Sequence, residues 1–395
     1  MASEAIGSGP SEYEKLGVDA GKKDVREIFK NRVENEYPNA FVNIITDPLN
    51  RDYGLTQHMD GDGSKLVQRL LIYSETGDSS VIRGAVDDGL EMNLGDIAAS
   101  GFVFGTITVT DVVNINALNL PKKVIMNEIG QRFQELMELY RRYGFDIHFL
   151  GGETGDLPTQ VNSAVFDVAV WARALKKDII EGNVEPGDKI YGFASDGQAV
   201  WEDKYNSGVM SNGLTLGRVG TMSADYEKKY PHLGIHHGKY KIGEKDGLPN
   251  DMSVSDALIS PTRHWGIFIK ILLEKLKKLG LYEDIKGMSL NTGGAVSKIS
   301  HIGKGITYMK EMPPATELVK LIQRETSESW KAMYKGFNCG VGLDVVVKDK
   351  PEIKRVLEEV SEETHIKEYE LGKCEKSPDG VNHVIAKTDY GTFDY

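Results

Sequence analysis

Cysteine is almost absent from this chain, which has two cysteines, Cys339 and Cys374, among its 395 residues. Two cysteines cannot build the disulfide framework of a small secreted domain, so a reducing compartment is expected. No charge-free apolar run reaches the roughly 18 residues that a membrane-spanning helix needs. The first residues contain neither a basic segment nor an apolar one, which argues against a signal peptide. These absences predict a soluble cytoplasmic protein.

Positive charge is also in deficit, because 47 Lys and Arg residues face 59 Asp and Glu residues and the net charge is -12. Non-specific nucleic-acid binding requires clustered positive charge, and anionic membranes attract basic segments. The sequence therefore predicts neither nucleic acid nor membrane as a partner. Serine-nucleophile and zinc chemistry have no support either, since no Gly-x-Ser-x-Gly elbow and no Cys-x-x-Cys pair occurs.

What is present is an ordinary globular composition, with 40% hydrophobic and 27% charged residues. A chain of this length suggests about two domains. Residues 181–187 have the glycine and proline of a linker, and we place the boundary there, with one domain over residues 1–182 and a second over residues 183–395. Predicted strands and helices intermix in both halves, which indicates a mixed α+β fold.

Four helices are predicted with clear apolar periodicity or clear end signals. The first half contains one of them, from Pro121 to Tyr143. The second half contains the other three, over Thr262–Leu279, Thr316–Thr326 and Pro351–Glu363. Between its helical segments the first half carries a β-rich stretch, FGTITVTDVVNIN, which needs partners to bury both of its faces.

The first candidate site is the segment Asp60-Gly-Asp-Gly-Ser-Lys65 between a predicted strand and a predicted helix. Its two glycines allow close approach of a ligand to the backbone, and Lys65 can contact a phosphate. Asp60 or Asp62 could hold a metal ion. The spacing is not that of a Walker A loop, and an ordinary Asp-Gly turn is the alternative interpretation.

Three further acids extend this hypothesis. Asp88 and Asp96 lie two turns apart on a predicted helix face of small residues, where a buried carboxylate must be paired or bound to a metal. Glu153 follows two glycines at the predicted end of a strand. Capping or surface acids are the alternative for each of them. Together with Asp60, these acids predict one magnesium–nucleotide site, because Mg²⁺ prefers carboxylate and phosphate oxygens.

The second half offers several short segments that pair small residues with hydrogen-bonding side chains, a combination suited to a polar, phosphorylated small molecule. Arg263 is a natural bidentate partner for a phosphate or a carboxylate. Turns and helix caps are the alternative interpretation. The candidate substrate-binding residues are Ser211, Asn212, Gly213, Arg263, Thr292, Gly293, Gly294 and Asn338. A nearby His-rich segment, residues 231–243, contains glycine and proline and is predicted to be a solvated loop rather than a metal site.

In this order, the segments closely resemble the aminoimidazole ribonucleotide synthetase family, also called phosphoribosylformylglycinamidine cyclo-ligase. The resemblance runs from about Tyr13 to the C-terminus. It rests on motifs in both halves, which are YEKLGVDAG, DGDGSK, the Asp88–Asp96 pair, GGETGDLP, MSNG, LISPTR, NTGGA and MYKGFNCGVG.

The resemblance implies an N-terminal half whose sheet joins that of a second subunit in a central barrel, hence a homodimer, and a C-terminal α+β half beside it. It implies ATP-dependent ring closure of formylglycinamidine ribonucleotide to aminoimidazole ribonucleotide, with release of ADP and phosphate. It places ATP phosphates and Mg²⁺ at four acids, with Lys65 and Asp96 as catalytic groups. Those acids are Asp60, Asp88, Asp96 and Glu153.

The chain also departs from the family pattern. Met210 stands where the family has a histidine, Gly95 stands where an asparagine is common, and two insertions, over Gln198–Gly208 and Val219–Ser255, enlarge the second half. Two alternatives therefore stay open. One is another ATP-dependent kinase or synthetase of the same superfamily, and the other is a non-catalytic nucleotide-binding homologue.

Overall fold

The structure is a computed structural model that describes residues 10–18, 25, 28–29 and 32–395. It contains a five-stranded sheet in the first half and a seven-stranded sheet in the second, each covered by helices. This confirms the predicted mixed α+β class. In the described part of the chain, the two large sheets share no strand. The position of the domain boundary stays a prediction. Within the same residues, no helix is both long and apolar enough to cross a membrane.

The five-stranded sheet has the order β1-β2-β5-β3-β4. Only the β3–β4 pair is parallel. Alternating side chains bury one face of β5 and leave the other face partly exposed, as the period of two in a strand requires. The strands are β1 (Ile45–Thr46), β2 (Tyr53–Gly61), β3 (Thr106–Ile115), β4 (Asp146–Asp156) and β5 (Ala164–Leu175).

Three helices of the first half organise its core. They are α2 (Lys65–Thr76), α3 (Gly84–Ala98) and α4 (Lys122–Arg142), and a four-residue helix, α1 (Glu12–Lys15), precedes them. Every residue from Ala85 to Ala98 is buried. A helix that is buried all round belongs to the interior. Helix α3 indeed packs on the sheet, on α4 and on a helix of the second half.

The seven-stranded sheet has the order β14-β13-β10-β12-β6-β11-β9, and β7 and β8 form a separate hairpin. Its strands are β6 (Lys189–Ala194), β9 (Ile285–Leu290), β10 (Ile306–Glu311), β11 (Val341–Val347), β12 (Glu368–Lys376), β13 (His383–Thr388) and β14 (Gly391–Asp394), while the hairpin is β7 (Asp196–Gly197) and β8 (Asn206–Ser207). The helices are α5 (Leu214–Thr221), α6 (Asp225–Lys229), α7 (Val254–Leu258), α8 (Trp265–Lys278), α9 (Glu317–Thr326), α10 (Trp330–Gly336) and α11 (Pro351–Thr364).

All four predicted helices are confirmed, with one shortened start. Helix α8 begins at Trp265 rather than Thr262, because the side chains of Thr262 and Arg263 bond to other elements and hold this segment outside the helix. Two local predictions are wrong. The strand before Glu153 does not end there but continues to Asp156. The His-rich loop is not wholly solvated, since His236 is buried against the guanidinium of Arg218.

Candidate functional site

The Asp-Gly-rich segment turns the chain from β2 into α2 and buries its lysine. Gly63 adopts a φ of 64°, the left-handed conformation that glycine favours, and Lys65 becomes the first residue of α2. Lys65 is fully buried, and this burial lowers the pKa of its ammonium group. A buried ammonium group needs a paired anion. The contacts of Lys65 therefore locate the first part of the site.

Asp88 is that anion, and it joins three segments. Its Oδ1 is 2.8 Å from Lys65 Nζ, and its Oδ2 is 2.6 Å from an Arg69 guanidinium nitrogen. Thr262 of the second half donates to Oδ1 through its backbone N–H at 2.8 Å and its hydroxyl at 2.7 Å. A Cβ at Gly84 would lie 2.2 Å from the Arg69 guanidinium, so only glycine leaves Arg69 room there. Asp88 therefore links α2, α3 and the segment just before α8.

This geometry corrects the prediction for Asp88. With two cations and two Thr262 donors around it, the carboxylate is neutralised by the protein itself and is fully buried. It is not free to bind a metal ion in this arrangement. Its function in the structure is to hold the two halves together.

Asp62 is a buried acid of a different kind. Its side chain is buried and neither carboxylate oxygen has a hydrogen-bond partner within the described residues. Burial, together with the nearby charge of Asp88, raises the pKa of Asp62 well above its usual range. Ser211 lies close by, since a Cβ at Gly63 would sit 3.6 Å from the Ser211 carbonyl oxygen. The Asp60–Lys65 segment and the Ser-Asn-Gly segment at residues 211–213 therefore meet here.

Asp96 lies two turns further along α3 and is only partly neutralised. Its Oδ2 is 2.9 Å from Lys298 Nζ and 3.4 Å from His58 Nε2. Its Oδ1 is buried without a hydrogen-bond partner among the described residues. Lys298 also donates to the hydroxyl of Thr292, which brings the Thr-Gly-Gly segment to the same place. Asp96, predicted to hold magnesium, and Thr292, predicted to contact the substrate, are therefore linked through Lys298.

Asp60 is connected to the same end of α3. Asn93 donates from its side-chain amide to the Asp60 carbonyl at 3.1 Å, and the Asn93 Oδ1 is 2.9 Å from His58 Nδ1. The unpartnered oxygen of Asp96 and the carboxylate of Asp60 are the hard donors that suit Mg²⁺. The Asp60 Oδ1 also accepts a hydrogen bond from the Gly61 amide at 2.8 Å, so Asp60 and Asp96 each keep oxygen donors that a magnesium ion would need. No group of three metal-binding side chains occurs in the described part of the chain.

Glu153 lies elsewhere on the sheet. The strands β5 and β3 separate β2 from β4, and Asp60 pairs through Val168 and Asp111 with Gly152. Three strand spacings place Glu153 roughly 14 Å from Asp60, which is too far for one ion. Glu153 is exposed on the edge strand, where it accepts a hydrogen bond from the Thr154 amide. Within one chain the predicted four-acid cluster is therefore divided.

The candidate substrate residues fall into two groups, those with unpartnered polar atoms and those whose polar groups are bonded within the protein. Ser211 is buried with an unpartnered hydroxyl, and Asn212 has an unpartnered Oδ1 while its amide donates to the Gly336 carbonyl at 2.5 Å. Gly213 and Gly294 precede helical turns in the left-handed conformation, with φ values of 80° and 93°. Gly293 is exposed. Within the described residues, Ser211 and Asn212 therefore retain free acceptors.

Arg263 and Asn338 are already occupied, which corrects two predictions. Arg263 is buried and makes a bidentate pair with Glu202, with both N–O distances at 2.9 Å, and it donates to two backbone carbonyls. Asn338 donates to the Gly208 carbonyl at 2.8 Å and accepts from the Gly340 amide at 3.1 Å. Both residues act as internal braces, because their polar groups are engaged by the protein itself.

Four residues that contact Asp88 or Asp96 were not predicted from the sequence, namely His58, Arg69, Thr262 and Lys298. Arg69 could have been found, because it follows Lys65 by one helical turn and so shares its face. Thr262 lies in the LISPTR motif, but we chose its neighbour Arg263 as the candidate because of the charge of the arginine. His58 and Lys298 carried no signal, since they come together only through tertiary folding.

Comparison with known proteins gives the context for this site. No family model matches the chain. Curated relatives named phosphoribosylformylglycinamidine cyclo-ligase do match it. The protein from Methanococcus maripaludis strain C5 is 28% identical over 328 residues, which span 82% of this chain and 79% of the relative. The protein from Thermococcus kodakarensis is 28% identical over 335 residues, which span 83% and 81%. The chain is thus similar in sequence to the phosphoribosylformylglycinamidine cyclo-ligases over most of its length.

Solved structures support the same fold. A protein from Thermus thermophilus superposes with a TM-score of 0.52 at 13% identity, covering 95% of this chain and 98% of its own. T. maritima PurL complexed with FGAR gives 0.50 at 12%, covering 97% and 54%. AaThiL complexed with AMPPCP and TMP gives 0.50 at 10%, covering both chains fully at 100%. At these identities the likeness concerns the fold alone. The predicted relationship to the cyclo-ligases is confirmed by the sequence relatives.

Proposed function

We propose that this protein is a cytoplasmic, ATP-dependent cyclo-ligase that converts formylglycinamidine ribonucleotide into aminoimidazole ribonucleotide, releasing ADP and phosphate. The observation that carries the proposal is the match to cyclo-ligases over 82% of the chain. The geometry supports it, because Lys65, Asp88 and Thr262 bring separate motifs from both halves into contact.

The reaction needs an activated oxygen. ATP transfers its γ-phosphoryl group to the formyl amide oxygen, which forms a P–O bond and breaks the bond to ADP. An amine of the same molecule then attacks the activated carbon, loses a proton and displaces phosphate. Positioning and charge neutralisation supply most of the catalysis in such transfers. Lys65 was predicted to contact a phosphate, but it is fully buried and paired with Asp88, so we assign to it the positioning of the Asp60–Lys65 segment instead.

Lys298 is the cation that we assign to the developing charge of the transferred phosphoryl group. It lies between Asp96 and Thr292 and is 13% exposed, so it can turn from Asp96 toward a ligand. When magnesium binds, Asp60 and Asp96 would hold it, and it would neutralise phosphate charge. Ser211 and Asn212 supply unpartnered polar atoms for the ribonucleotide.

We propose a homodimer formed through the outer face of the five-stranded sheet, which is the face opposite to the one covered by α3. Three large apolar side chains are exposed on this face, Met59 at 63%, Leu150 at 66% and Val165 at 43%. Large exposed apolar patches mark interaction surfaces. Sedimentation of a dilute sample as a dimer is expected. Met59→Lys should shift it toward monomer, whereas a wild-type protein that stays monomeric at all concentrations contradicts this proposal.

The decisive experiment measures ADP release with and without formylglycinamidine ribonucleotide. We expect release that depends on the ribonucleotide and a product that absorbs as aminoimidazole ribonucleotide. Release with thiamine monophosphate instead would indicate a kinase of the same superfamily. ATP binding without turnover of either substrate would indicate a non-catalytic homologue. Asp203→Asn, an exposed change on the β7–β8 hairpin, serves as the control for variants of the candidate site and should release ADP as the wild type does.

A further inference from the structure

Arg218 is a buried cation that lacks a counterion within the described residues. It lies on α5, and only 7% of the residue is exposed. No carboxylate of the described chain pairs with it, and burial lowers the pKa of its guanidinium group to about 10. The other two buried arginines of this part of the chain, Arg69 and Arg263, are each paired with an acid. A buried charge without a partner is unfavourable, so Arg218 calls for an anion.

The hydrogen bonds of Arg218 all leave from one nitrogen. Its Nη1 donates to the carbonyls of Leu233 and Ile235 and to His236 Nε2, each at 3.3 Å. Neither Nε nor Nη2 donates to any residue that the structure describes, and Nε is buried. One edge of the planar guanidinium group, formed by Nε and Nη2, is therefore left without an acceptor.

Arg263 shows what this edge does when an anion is present. The Nη1 of Arg263 also donates to two backbone carbonyls, while its Nε and Nη2 form the bidentate pair with Glu202. Arg218 repeats the bonding of Nη1 to two carbonyls, but within the described residues no acid occupies its other edge. The two arginines thus differ in the acceptor that faces Nε and Nη2.

The neighbouring histidine does not supply the missing charge. Burial, together with the charge of Arg218, lowers the pKa of His236 to about 4, so the imidazole is neutral at pH 7. The ring of Tyr226 packs edge-on against the His236 ring, with the ring centroids 6.2 Å apart. Neutral groups therefore hold Arg218 on its bonded side and leave its positive charge uncompensated.

The position of Arg218 favours a phosphate as the missing anion. Two parallel N–H groups match the paired oxygens of a phosphate or a carboxylate, and the slight exposure of the residue admits a small molecule rather than a polymer. Helix α5 begins directly after Ser211, Asn212 and Gly213, and Arg218 follows Gly213 by about 7.5 Å along the helix axis. Ser211 and Asn212 are the residues that we assign to a phosphorylated ligand.

We propose that the free guanidinium edge of Arg218 binds the phosphate group of a small molecule. Two sources share this chemistry, namely the ribonucleotide of the proposed reaction and a separate phosphorylated metabolite. The site itself follows from the unpaired buried arginine and does not depend on the proposed ring closure. Only the assignment to the ribonucleotide rests on the proposed function.

Isothermal titration of the full chain with inorganic phosphate, at constant ionic strength, tests the proposal. We expect saturable binding that becomes at least tenfold weaker in Arg218→Gln, which removes the charge. Arg218→Lys keeps the charge without the two-pronged edge, and it should also bind at least tenfold more weakly. Arg355→Gln removes an exposed arginine from α11 and is the matched control, which should bind phosphate as the wild type does.

Formylglycinamidine ribonucleotide and the nucleoside that lacks its phosphate distinguish the two sources. If the phosphate at Arg218 belongs to the ribonucleotide, Arg218→Lys weakens ribonucleotide binding at least tenfold and leaves nucleoside binding unchanged. If the phosphate belongs to another metabolite, ribonucleotide affinity is the same in both proteins, while the binding of inorganic phosphate still depends on Arg218. In either case, Lys298→Gln should retain the Arg218-dependent binding, which separates this site from the candidate active site.

The proposal is overturned if inorganic phosphate does not bind the wild type saturably. It is equally overturned if phosphate binds a folded Arg218→Lys or Arg218→Gln as tightly as the wild type. Arg218→Lys keeps the test valid if Arg218→Gln folds poorly, because it retains the charge and donors to the same carbonyls. A failure of the proposed ring closure would appear in the ADP-release assay and leave the phosphate titration unchanged.

Discussion

Asp88 and Asp96, two of the acids of helix α3, occupy opposite electrostatic situations. Asp88 is surrounded by Lys65, Arg69 and Thr262 and is fully buried, whereas Asp96 has one unpartnered oxygen among the described residues and partly exposed neighbours. Both acids sit on one buried helix, eight residues apart. The difference teaches that a buried carboxylate near glycines can serve assembly at one end of a helix and leave capacity for a ligand at the other.

The largest loss of unfolding free energy is expected when Asp88 is replaced. Asp88→Asn leaves Lys65 and Arg69 buried without their anion, and breaking a buried ion pair costs about 3–5 kcal/mol. We expect this loss in the unfolding free energy measured with urea, together with loss of turnover. If Asp88→Asn keeps wild-type stability, the link between the halves that we assign to Asp88 does not exist.

A second prediction concerns pH at the same junction of the halves. His264 bonds to Asp87 at 3.0 Å and to the Tyr140 hydroxyl at 2.9 Å, with Glu91 at 3.7 Å and Arg132 paired to Asp87.

Burial lowers the pKa of His264, but the hydrogen bonds and charges of Asp87 and Glu91 outweigh this effect and raise the pKa from 6.5 to about 9. The folded state therefore holds the proton more tightly than the unfolded state. This stabilisation, roughly 3 kcal/mol, is complete below pH 6.5 and is lost as the pH rises through 9. The unfolding free energy of the wild type minus that of His264→Gln should fall across this window. A difference that is constant from about pH 6 to about pH 10 would contradict the assignment.

Asp96→Asn should separate stability from activity. The change retains a hydrogen-bonding side chain, so we expect a loss of only about 1.5 kcal/mol in the unfolding free energy. Turnover should fall roughly 100-fold or more, because a charge that serves the transition state is removed. Urea unfolding and the ADP-release assay measure the two effects. An activity close to wild type would place the reaction elsewhere.

A smaller effect is expected for the candidate substrate residues Asn212 and Thr292. Loss of one hydrogen bond to a charged group costs about 1.5–3 kcal/mol, so Asn212→Ala should weaken ribonucleotide binding roughly tenfold or more. Thr292→Val should do the same through Lys298. ATP affinity should change much less in both variants. Titration of each ligand provides the comparison, and an unchanged ribonucleotide affinity in both variants would exclude these residues from its site.

The smallest effect is expected for Glu153. Its exposed position on β4 predicts that Glu153→Gln leaves the melting temperature unchanged. Because β5 and β3 lie between it and Asp60, we also expect the magnesium dependence of turnover to stay the same. A marked rise in the magnesium requirement would show that an acid from another part of the assembly completes the site.

Much of the fold could be read from the sequence where local signals dominate. The helix over Pro121–Tyr143 was predicted nearly to the residue, because an apolar stripe and its end signals depend only on neighbours along the chain. The continuation of β4 beyond Glu153 was missed, since its glycines resemble a turn until β3 pairs with them. Pairing between strands is a tertiary property.

The sequence by itself determined the α+β class, the order of the motifs and the relationship to the cyclo-ligases. Spacing along the chain is enough for these features. Only the tertiary structure decided which acids are consumed by internal cations and which retain a free oxygen. Lys298 reaches Asp96 across 202 positions and Thr262 reaches Asp88 across 174. Charge neutralisation depends on distances of a few ångströms in space, and separation in sequence carries no information about them.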